Sequence, residues 1–280
     1  MQNHCHVTKL AFERAGEYPR KPLAALLLSL ALILLSPRVA PADTFAVSPL
    51  ADGILAGTSV GLAGASELFF HRTDPLDLGT ADPAKINGFD RLAVFGYSHG
   101  LDLTSDFALY TTLAVPAALC LFLSPNDAVA VLVTYVETVS LADFSKNLLK
   151  YLFPRQRPWM SEVGAGGAVP DTWEGDDSFP SGHATLSFAA AVFGLFAFAT
   201  YFPNSPYLWP FVAVDLGLAV GTSALRVTSG MHFLTDVLAG AALGTAFGAL
   251  IPLLHQSAAW KTATGKSIPP MQVQILTIAL

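Results

Sequence analysis

The chain has 280 residues, of which 52% are apolar and only 13% are charged, and its mean hydropathy is +0.50. This composition is far more apolar than that of an average soluble domain and is typical of a membrane protein. The formal net charge of −6 argues against nucleic acid as a partner, because binding a phosphate backbone requires a basic surface. We therefore expect a protein that lies in the lipid bilayer.

The N-terminal segment is predicted to be a bacterial export signal covering residues 1–42. Arg20 and Lys21 precede an apolar run at residues 23–35, and an Ala-Pro-Ala sequence before Asp43 supplies the small residues of a cleavage site. The run is shorter than the about 20 apolar residues that a membrane span needs, which favours a cleaved signal over a retained anchor.

Apolar segments then alternate with polar loops. The five strongest candidates for membrane spans are mostly apolar and cover residues 108–123, 128–149, 184–201, 210–225 and 233–254. A weaker, glycine-rich segment at residues 54–70 either spans or lies against the others. Glu137 and Asp215 are the acids near the centre of a span, and we expect both to face the interior, as paired or protonated carboxyls or as functional groups. The fold class predicted is an all-α, polytopic membrane helix bundle of five or six apolar helices.

Loop charges predict the orientation of this bundle. Residues 71–107 contain three basic and six acidic residues, so this loop lacks the Lys/Arg excess of cytoplasmic loops and is expected to face outward. Five later spans then place residues 154–179 outside and the tail, with Lys261 and Lys266, inside. This orientation holds only if the segment at residues 54–70 does not cross the membrane.

Two clusters at predicted helix ends could bind an anion. Lys150 ends an apolar helix and Arg157 lies in the proline-broken loop after it, where basic residues either bind an anion or mark the membrane interface. Ser181 can cap the next apolar helix, Gly182 lets a ligand approach the backbone, and His183 lies beside the unpaired N–H groups of the first turn. By itself, the second cluster is either an anion site or an N-cap with an incidental histidine.

A histidine and an aspartate begin the last apolar helix. His232 and Asp236 are four residues apart, so we predict that they share a face and that Asp236 accepts a hydrogen bond from one imidazole nitrogen. The other nitrogen stays free to attack. Arg226 precedes a Ser229-Gly230 break that can fold it toward the same site. Polar groups at the start of an apolar helix are costly near a membrane, which favours a functional role over a structural His–Asp pair.

In order and spacing these residues resemble the signature of the type 2 phosphatidic acid phosphatase family. The signature has Lys, six residues and Arg-Pro at residues 150–158, then Pro-Ser-Gly-His at residues 180–183. Arg, five residues, His, three residues and Asp follow at residues 226–236. The resemblance covers residues 108–254, and it implies a helix bundle with its active site at one membrane face.

The family resemblance implies an in-line displacement at phosphorus. His232 would form a phosphohistidine, His183 would protonate the leaving oxygen, and Asp236 would orient His232. The groups that would hold the phosphate oxygens are Lys150, Arg157, Ser181, Gly182 and Arg226. The set implies no cofactor and no metal, although Asp176 and Asp177 lie close enough to warrant a metal control.

One departure from the family concerns the residue before Arg226. The family usually has serine there and this chain has Leu225, so one hydroxyl contact to phosphate is missing or comes from Thr222, Ser223 or Thr228. The departure bears more on the substrate than on the catalytic groups.

The implied function is that of a multi-pass phosphatase acting on a lipid phosphate or pyrophosphate, in the bacterial inner membrane with its site facing the periplasm. Its parts would be the signal at 1–42, an apolar helix and acidic outward loop at 43–107, the phosphatase domain at 108–254 and a tail at 255–280. Phosphate transfer between lipids, which uses the same intermediate, and non-enzymatic phosphate binding or transport both stay open. A soluble haloperoxidase of the related vanadate-binding type shares the motifs, but five apolar spans argue against it.

Overall fold

The computed structural model describes residues 45–70, 86–163, 170 and 175–264, together with six residues between 24 and 32. Most of the predicted signal peptide and much of the acidic loop at 71–107 lie outside the described residues. Within the segment at 24–32, Leu32 is buried and packs in the same apolar core as Phe45. Cleavage after residue 42 stays a prediction.

The described chain from residue 51 onward is helical. Its helices are α1 (Ala51–Phe69), α2 (His99–Leu119), α3 (Pro125–Leu152), α4 (Met160–Val163), α5 (Gly182–Tyr201), α6 (Leu208–Thr228) and α7 (Leu234–Thr264), with 3₁₀ turns at Asp90–Ala93 and Cys120–Phe122. The described residues form no β-strand, apart from one isolated bridge between Arg155 and Asp177. The predicted all-α class is confirmed.

Five helices are long and apolar enough to cross a membrane, as predicted. They cover His99–Phe122, Pro125–Leu152, Gly182–Tyr201, Leu208–Thr228 and Leu234–Gln256. The largest boundary difference is at α2, which begins at His99 rather than at residue 108. The first two turns of α2 carry polar residues that resemble a loop in sequence, because Asp102, Ser105 and Asp106 contact Arg226 and His183 of other helices. Glu137 and Asp215 are fully buried, which confirms that both acids face the interior.

Helix α5 lies at the centre of the bundle and contacts α2, α3, α6 and α7. Phe193 and Phe198 of α5 are fully buried, and the ring of Phe198 stacks on that of Phe211 with the centroids 4.5 Å apart. The N-terminal end of this central helix carries the Ser181 cap, whose hydroxyl accepts a hydrogen bond from the backbone N–H of Ala184. The core thus fixes the position of the residues that begin α5.

Helices α5 and α7 approach each other more closely than side chains would allow. A Cβ added to Gly240, Gly244 or Gly248 of α7 would lie closer than 3.0 Å to a backbone oxygen of Ser181, Thr185 or Ala189, respectively. These three glycines are four residues apart, so they form one stripe along α7, and small residues in such a stripe let two helix backbones touch. The contact runs from the capping residue of α5 to its middle.

Helix α1 packs along α3. Near its C-terminal end, Glu67 lies 3.0 Å from Nζ of Lys146, and near its N-terminal end Asp52 lies 3.7 Å from Nε2 of His255, late in α7. The helix therefore follows the bundle over most of its length. It is not among the five helices that length and composition identify as spans, although its outer side exposes apolar residues such as Ile54.

Candidate active site

Six of the eight predicted site residues line one cavity. Helices α2, α5 and α7 begin at this end of the bundle and α3 and α6 end there, so their termini surround a space of about 380 Å³. The predicted residues that line it are Lys150, Arg157, Gly182, His183, Arg226 and His232. The other two, Ser181 and Asp236, are fully buried behind the cavity wall.

The imidazole of His232 is buried and its tautomer is fixed. Its Nδ1 lies 2.7 Å from the backbone carbonyl oxygen of Ser178, and because a carbonyl can only accept, Nδ1 carries the proton. The lone pair is therefore on Nε2, which lies 3.3 Å from Nη1 of Arg157. Burial lowers the pKa of His232 well below its ordinary value, and the charges of Arg157, Arg226 and Lys150 lower it further. His232 is thus a neutral imidazole at neutral pH.

The predicted hydrogen bond between His232 and Asp236 is wrong in detail. Oδ2 of Asp236 lies 3.7 Å from Nδ1 of His232, beyond hydrogen-bond distance, and the carbonyl of Ser178 occupies the donor direction instead. The prediction assumed that both residues lie in one helix, but α7 begins at Leu234, so His232 precedes the first turn. Asp236 instead accepts the backbone N–H of Phe233 at 2.8 Å and so closes that first turn.

Asp236 holds His232 through Ser178. The hydroxyl of Ser178 donates to Oδ2 of Asp236 at 2.6 Å, while the carbonyl of the same residue accepts from the imidazole. Asp236 therefore holds Ser178 in place, and Ser178 in turn orients the imidazole of His232. At 3.7 Å, the carboxylate of Asp236 is also near enough to interact electrostatically with that imidazole. Sequence analysis missed Ser178, because its contact with the ring is made by the main chain.

Arg155 anchors Asp236 from the other side. Its Nη1 donates to Oδ1 of Asp236 at 2.5 Å and its Nη2 donates to Oδ2 of Asp90, also at 2.5 Å. The guanidinium also lies over the ring of Phe233, 4.3 Å from the centroid. Burial alone would raise the pKa of Asp90, but hydrogen bonds from Arg155 and Thr235 outweigh it and hold the pKa below its ordinary value. Asp90 is thus an ionised, buried partner for Arg155.

The second histidine has a carboxylate partner that sequence analysis did not identify. Nε2 of His183 lies 2.6 Å from Oδ1 of Asp106, an α2 residue that had been counted only as a loop charge. The side chain of His183 is 22% exposed and that of Asp106 is 42% exposed, so this pair is more accessible than His232. Asp106 is placed to stabilise positive charge on His183 whenever the imidazole carries a proton.

Arg226 joins α6 to α2 beside the same cavity. Its Nη1 donates to Oδ1 of Asp102 and, at 3.0 Å, to the hydroxyl of Ser105, and Asp106 lies 3.9 Å away. The chain reverses just after α6 at Gly230, where φ is +76° and where a Cβ would lie 2.6 Å from the carbonyl oxygens of two loop residues. The predicted break therefore exists, and Arg226 reaches the site from the last turn of its helix.

The lysines enter the cavity from α3. Nζ of Lys150 donates to the backbone carbonyl of Asp177 at 2.6 Å. One turn earlier, Lys146 also lines the cavity and lies 3.0 Å from Glu67 and 3.1 Å from Asp143. Sequence analysis missed Lys146, although a spacing of four residues places it on the same helix face as Lys150. Four cationic side chains thus surround one space.

The three hydroxyls considered as replacements for the serine before Arg226 do not line this cavity. Thr222 donates to the carbonyl of Leu218 and Thr228 to that of Ala224, while Ser223 is buried within α6. The two threonine hydroxyls thus bond their own helix, and none of the three hydroxyls lies in the cavity where phosphate would bind. Asp177 lines the cavity, whereas Asp176 does not, and the described residues hold no group of three metal ligands there.

Residues 131–260 match the sequence model of the PAP2 superfamily, and all three motifs lie within that range. The decaprenylphosphoryl-5-phosphoribose phosphatase of Mycobacterium tuberculosis is 35% identical over 104 residues, which are 37% of this chain and 50% of that protein. The lipid A 1-phosphatase of Rhizobium etli is 33% identical over 120 residues, 42% of this chain and 47% of that protein. The chain thus spans about half the length of the curated relatives it matches.

A solved structure is also similar. It is that of a transmembrane PAP2 type phosphatidylglycerolphosphate phosphatase from Bacillus subtilis, 17% identical, and the likeness covers 85% of this chain and 98% of that one. The TM-score is 0.45, which is too low for the two architectures to be equated.

Proposed function

We propose that this chain, whose residues 131–260 match the sequence model of the PAP2 superfamily, belongs to that superfamily and is a membrane-embedded phosphatase that removes phosphate from a lipid phosphate or pyrophosphate. The observation that carries the proposal is the pair of histidines in one cationic cavity, His232 with a neutral imidazole and His183 beside a carboxylate. Binding of phosphate alone would need only the cations and backbone N–H groups. Two histidines with different partners favour a reaction that moves a phosphoryl group and a proton separately.

In the proposed reaction the Nε2 lone pair of His232 attacks phosphorus and the bond from phosphorus to the leaving oxygen breaks. His183 gives its proton to that oxygen, so the alcohol or phosphate leaves in a protonated form. Water then attacks the phosphohistidine and loses its proton to His183, which restores both imidazoles. Asp236 acts through Ser178 by holding the His232 ring in the tautomer that leaves Nε2 unprotonated.

The phosphoryl oxygens are assigned to the cations and to the start of α5. Arg157 and Arg226 are almost fully buried and Lys150 lines the same wall, so their charges act in a cavity with little competing water. The backbone N–H groups that follow Ser181 and Gly182 add the positive end of the helix dipole. The charge that spreads over the phosphoryl oxygens in the transition state is thereby offset without a metal.

The proposed substrate class follows from the position of the cavity. The cavity lies where five apolar helices begin or end, so an amphiphile can place its headgroup among the cations while its chains stay in lipid. The similar proteins are named for reactions on a decaprenylphosphoryl sugar and on lipid A. Polyprenyl phosphates and pyrophosphates, lipid A, phosphatidic acid and phosphatidylglycerol phosphate are the panel to assay.

The test is release of inorganic phosphate from this panel by the purified, full-length protein in detergent. We expect release from at least one lipid, with or without EDTA. Lipid binding without release would favour a binding or transport protein, and transfer of label to a second lipid without free phosphate would favour a transferase. A rate that EDTA abolishes and Mg²⁺ restores would contradict the metal-free mechanism, with Asp176 and Asp177 as the first ligands to examine.

We also propose that the cavity faces the periplasm of the bacterial inner membrane. The support is the acidic composition of residues 71–107 and the lysines of the tail. A reporter that is active only in the periplasm, fused after Gly166, should be active, and the same reporter after Lys261 should be silent. The opposite pattern would place the cavity in the cytoplasm, and it would then follow that α1 crosses after a cleaved signal.

A further inference from the structure

A second polar group lies far from the candidate active site. Asp52 of α1, Glu137 of α3 and His255 of α7 line a separate cavity of about 560 Å³, whose other walls are mostly apolar. Along α7, His255 is about 28 Å from Asp236 at the usual helical rise of about 1.5 Å per residue. The group is therefore near the opposite end of the bundle, and the proposed reaction does not use it.

Glu137 has no hydrogen-bond partner among the described residues. Its side chain is 0% exposed, and neither carboxylate oxygen accepts a hydrogen bond from the part of the chain that the structure describes. An unpaired carboxylate in a membrane-spanning helix is costly, so a counter-charge or a proton must accompany it.

His255 presents a lone pair to this carboxylate. Its Nδ1 lies 2.9 Å from the carbonyl oxygen of Ile251, and because a carbonyl only accepts, the proton is on Nδ1. In the neutral imidazole Nε2 therefore carries the lone pair, and among the described residues this buried nitrogen has no hydrogen-bond partner. It lies 3.3 Å from Oε2 of Glu137 and 3.7 Å from Oδ1 of Asp52. With a neutral imidazole, electron pairs thus face one another at short distance, and a positive centre is needed between them, either a metal ion or a proton on Nε2.

We propose that Asp52, Glu137 and His255 bind one divalent transition-metal ion, with Zn²⁺ as the best-fitting metal. One nitrogen and two carboxylate oxygens all lie within 4.8 Å of one another. At ligand distances of about 2.0–2.2 Å, two ligands of a tetrahedral Zn²⁺ are about 3.4 Å apart, close to the separations between His255 and the two acids. Two carboxylates and a neutral imidazole also balance the charge of a divalent ion, which matters in a low-dielectric interior.

The surroundings suit a transition metal better than Mg²⁺ or Ca²⁺. An imidazole ligand is typical of Zn²⁺ and of other late first-row transition metals, whereas Mg²⁺ and Ca²⁺ prefer oxygen ligands alone. The carbonyl of Ile251 holds the other ring nitrogen, which is the usual support for a metal-binding histidine. The second oxygen of Asp52 accepts the backbone N–H of Ser48 at 2.5 Å, so this ligand is also oriented. The cavity leaves space for a water molecule as a fourth ligand.

The consequence is a structural link. The three ligands come from α1, α3 and α7, so a bound ion joins α1 to the bundle. The other end of α1 brings Glu67 to Lys146 in the candidate active site. The ion would hold α1 in place without touching the substrate.

The experiment measures metal in the purified, full-length protein, prepared without a polyhistidine tag. After chelation and gel filtration, the protein is exposed to Zn²⁺, Mn²⁺ or Fe²⁺ in turn, and bound metal is counted by inductively coupled plasma mass spectrometry. We expect one Zn²⁺ per chain and an X-ray absorption spectrum with one imidazole ligand. Glu137→Gln and Asp52→Asn should each weaken binding by on the order of 100-fold, since changes in the supporting shell alone cost about 10–100-fold.

Asp215→Asn is the matched control, because Asp215 is another fully buried carboxyl in a spanning helix but lies outside this group. It should bind Zn²⁺ as the parent does. Absence of all three metals from the folded parent protein would overturn the site and leave a proton, on Glu137 or on His255, as the compensating charge. Equal Zn²⁺ binding by Glu137→Gln, Asp52→Asn and the parent would overturn it as well. Metal content is read without a phosphatase assay, so either result is independent of the proposed function.

Discussion

Replacing His232 with alanine should abolish turnover and covalent labelling together, a loss of more than about 10⁴-fold. Nε2 of His232 is the unprotonated nitrogen in the cationic cavity, whereas Nε2 of His183 is engaged with Asp106. The remaining polar groups of the cavity are cations, an amide, carboxylates and the hydroxyls of Ser66 and Tyr110. The carboxylates repel phosphate, the cations and the amide are poor nucleophiles, and a neutral hydroxyl is a weak nucleophile unless a base activates it. The measurement is acid-labile, base-stable phosphate trapped from a labelled lipid substrate and mapped by mass spectrometry.

His183→Ala distinguishes the roles of the two histidines. It should slow turnover by about 10²–10⁴-fold, the usual contribution of a general acid, yet still permit labelling of His232. Labelling should be strongest from a pyrophosphate, whose leaving group departs without much help from an acid. His99→Ala is the control, because His99 lies at the same end of the bundle but is exposed and outside the cavity lining. Phosphate found on His183, or undiminished labelling in His232→Ala, would reverse the assignment.

Arg226→Lys should lower kcat/KM by about 10²-fold or more, the usual cost of losing one donor to a developing anion. The guanidinium of Arg226 already donates to Asp102 and Ser105, and its planar fork leaves further N–H groups for phosphate. A lysine has a single charged nitrogen, and if that nitrogen pairs with Asp102 it is no longer available to bind the phosphate of the substrate. Kinetics with a lipid substrate, together with gel filtration to verify folding, provide the measurement.

The control for Arg226→Lys is Thr228→Ala. Thr228 is exposed in the last turn of the same helix, and its hydroxyl bonds the carbonyl of Ala224 rather than the cavity. Its removal should leave turnover nearly unchanged. If Arg226→Lys were to turn over at close to the normal rate, the arginine would be structural or only a general electrostatic contributor.

The helix bundle was predictable because lipid imposes a simple rule on composition. A span needs about 20 apolar residues, and all five predicted segments meet that requirement in the structure. The rule failed at the beginning of α2, where Asp102 and Ser105 of the helix accept hydrogen bonds from Arg226 and Asp106 lies beside His183. Their i, i+3 and i+4 spacing is that of one helix face and could have identified them. It could also have revealed the carboxylate beside His183.

Six of the cavity-lining residues were predictable from the motifs, but the residues that support them were not. Arg155 and Asp90 are distant in sequence and become partners only when the chain has folded. Ser178 holds His232 through a main-chain carbonyl. Every residue has this group, so the residue type does not indicate such a contact. The predicted His232–Asp236 contact failed for a related reason, because the helix begins two residues after the histidine.

The glycine stripe of α7 has a consequence for how the protein responds to different membranes. Spanning helices adjust to a thicker or thinner bilayer by tilting, and helices separated by a layer of side chains can tilt separately. At Gly240, Gly244 and Gly248 the backbones of α5 and α7 touch directly, with no intervening side chains to rearrange. The two helices must therefore tilt as a single body. The distance between His183 at the head of one and His232 at the head of the other is thus set by the protein itself and is insulated from the thickness of its lipid surroundings.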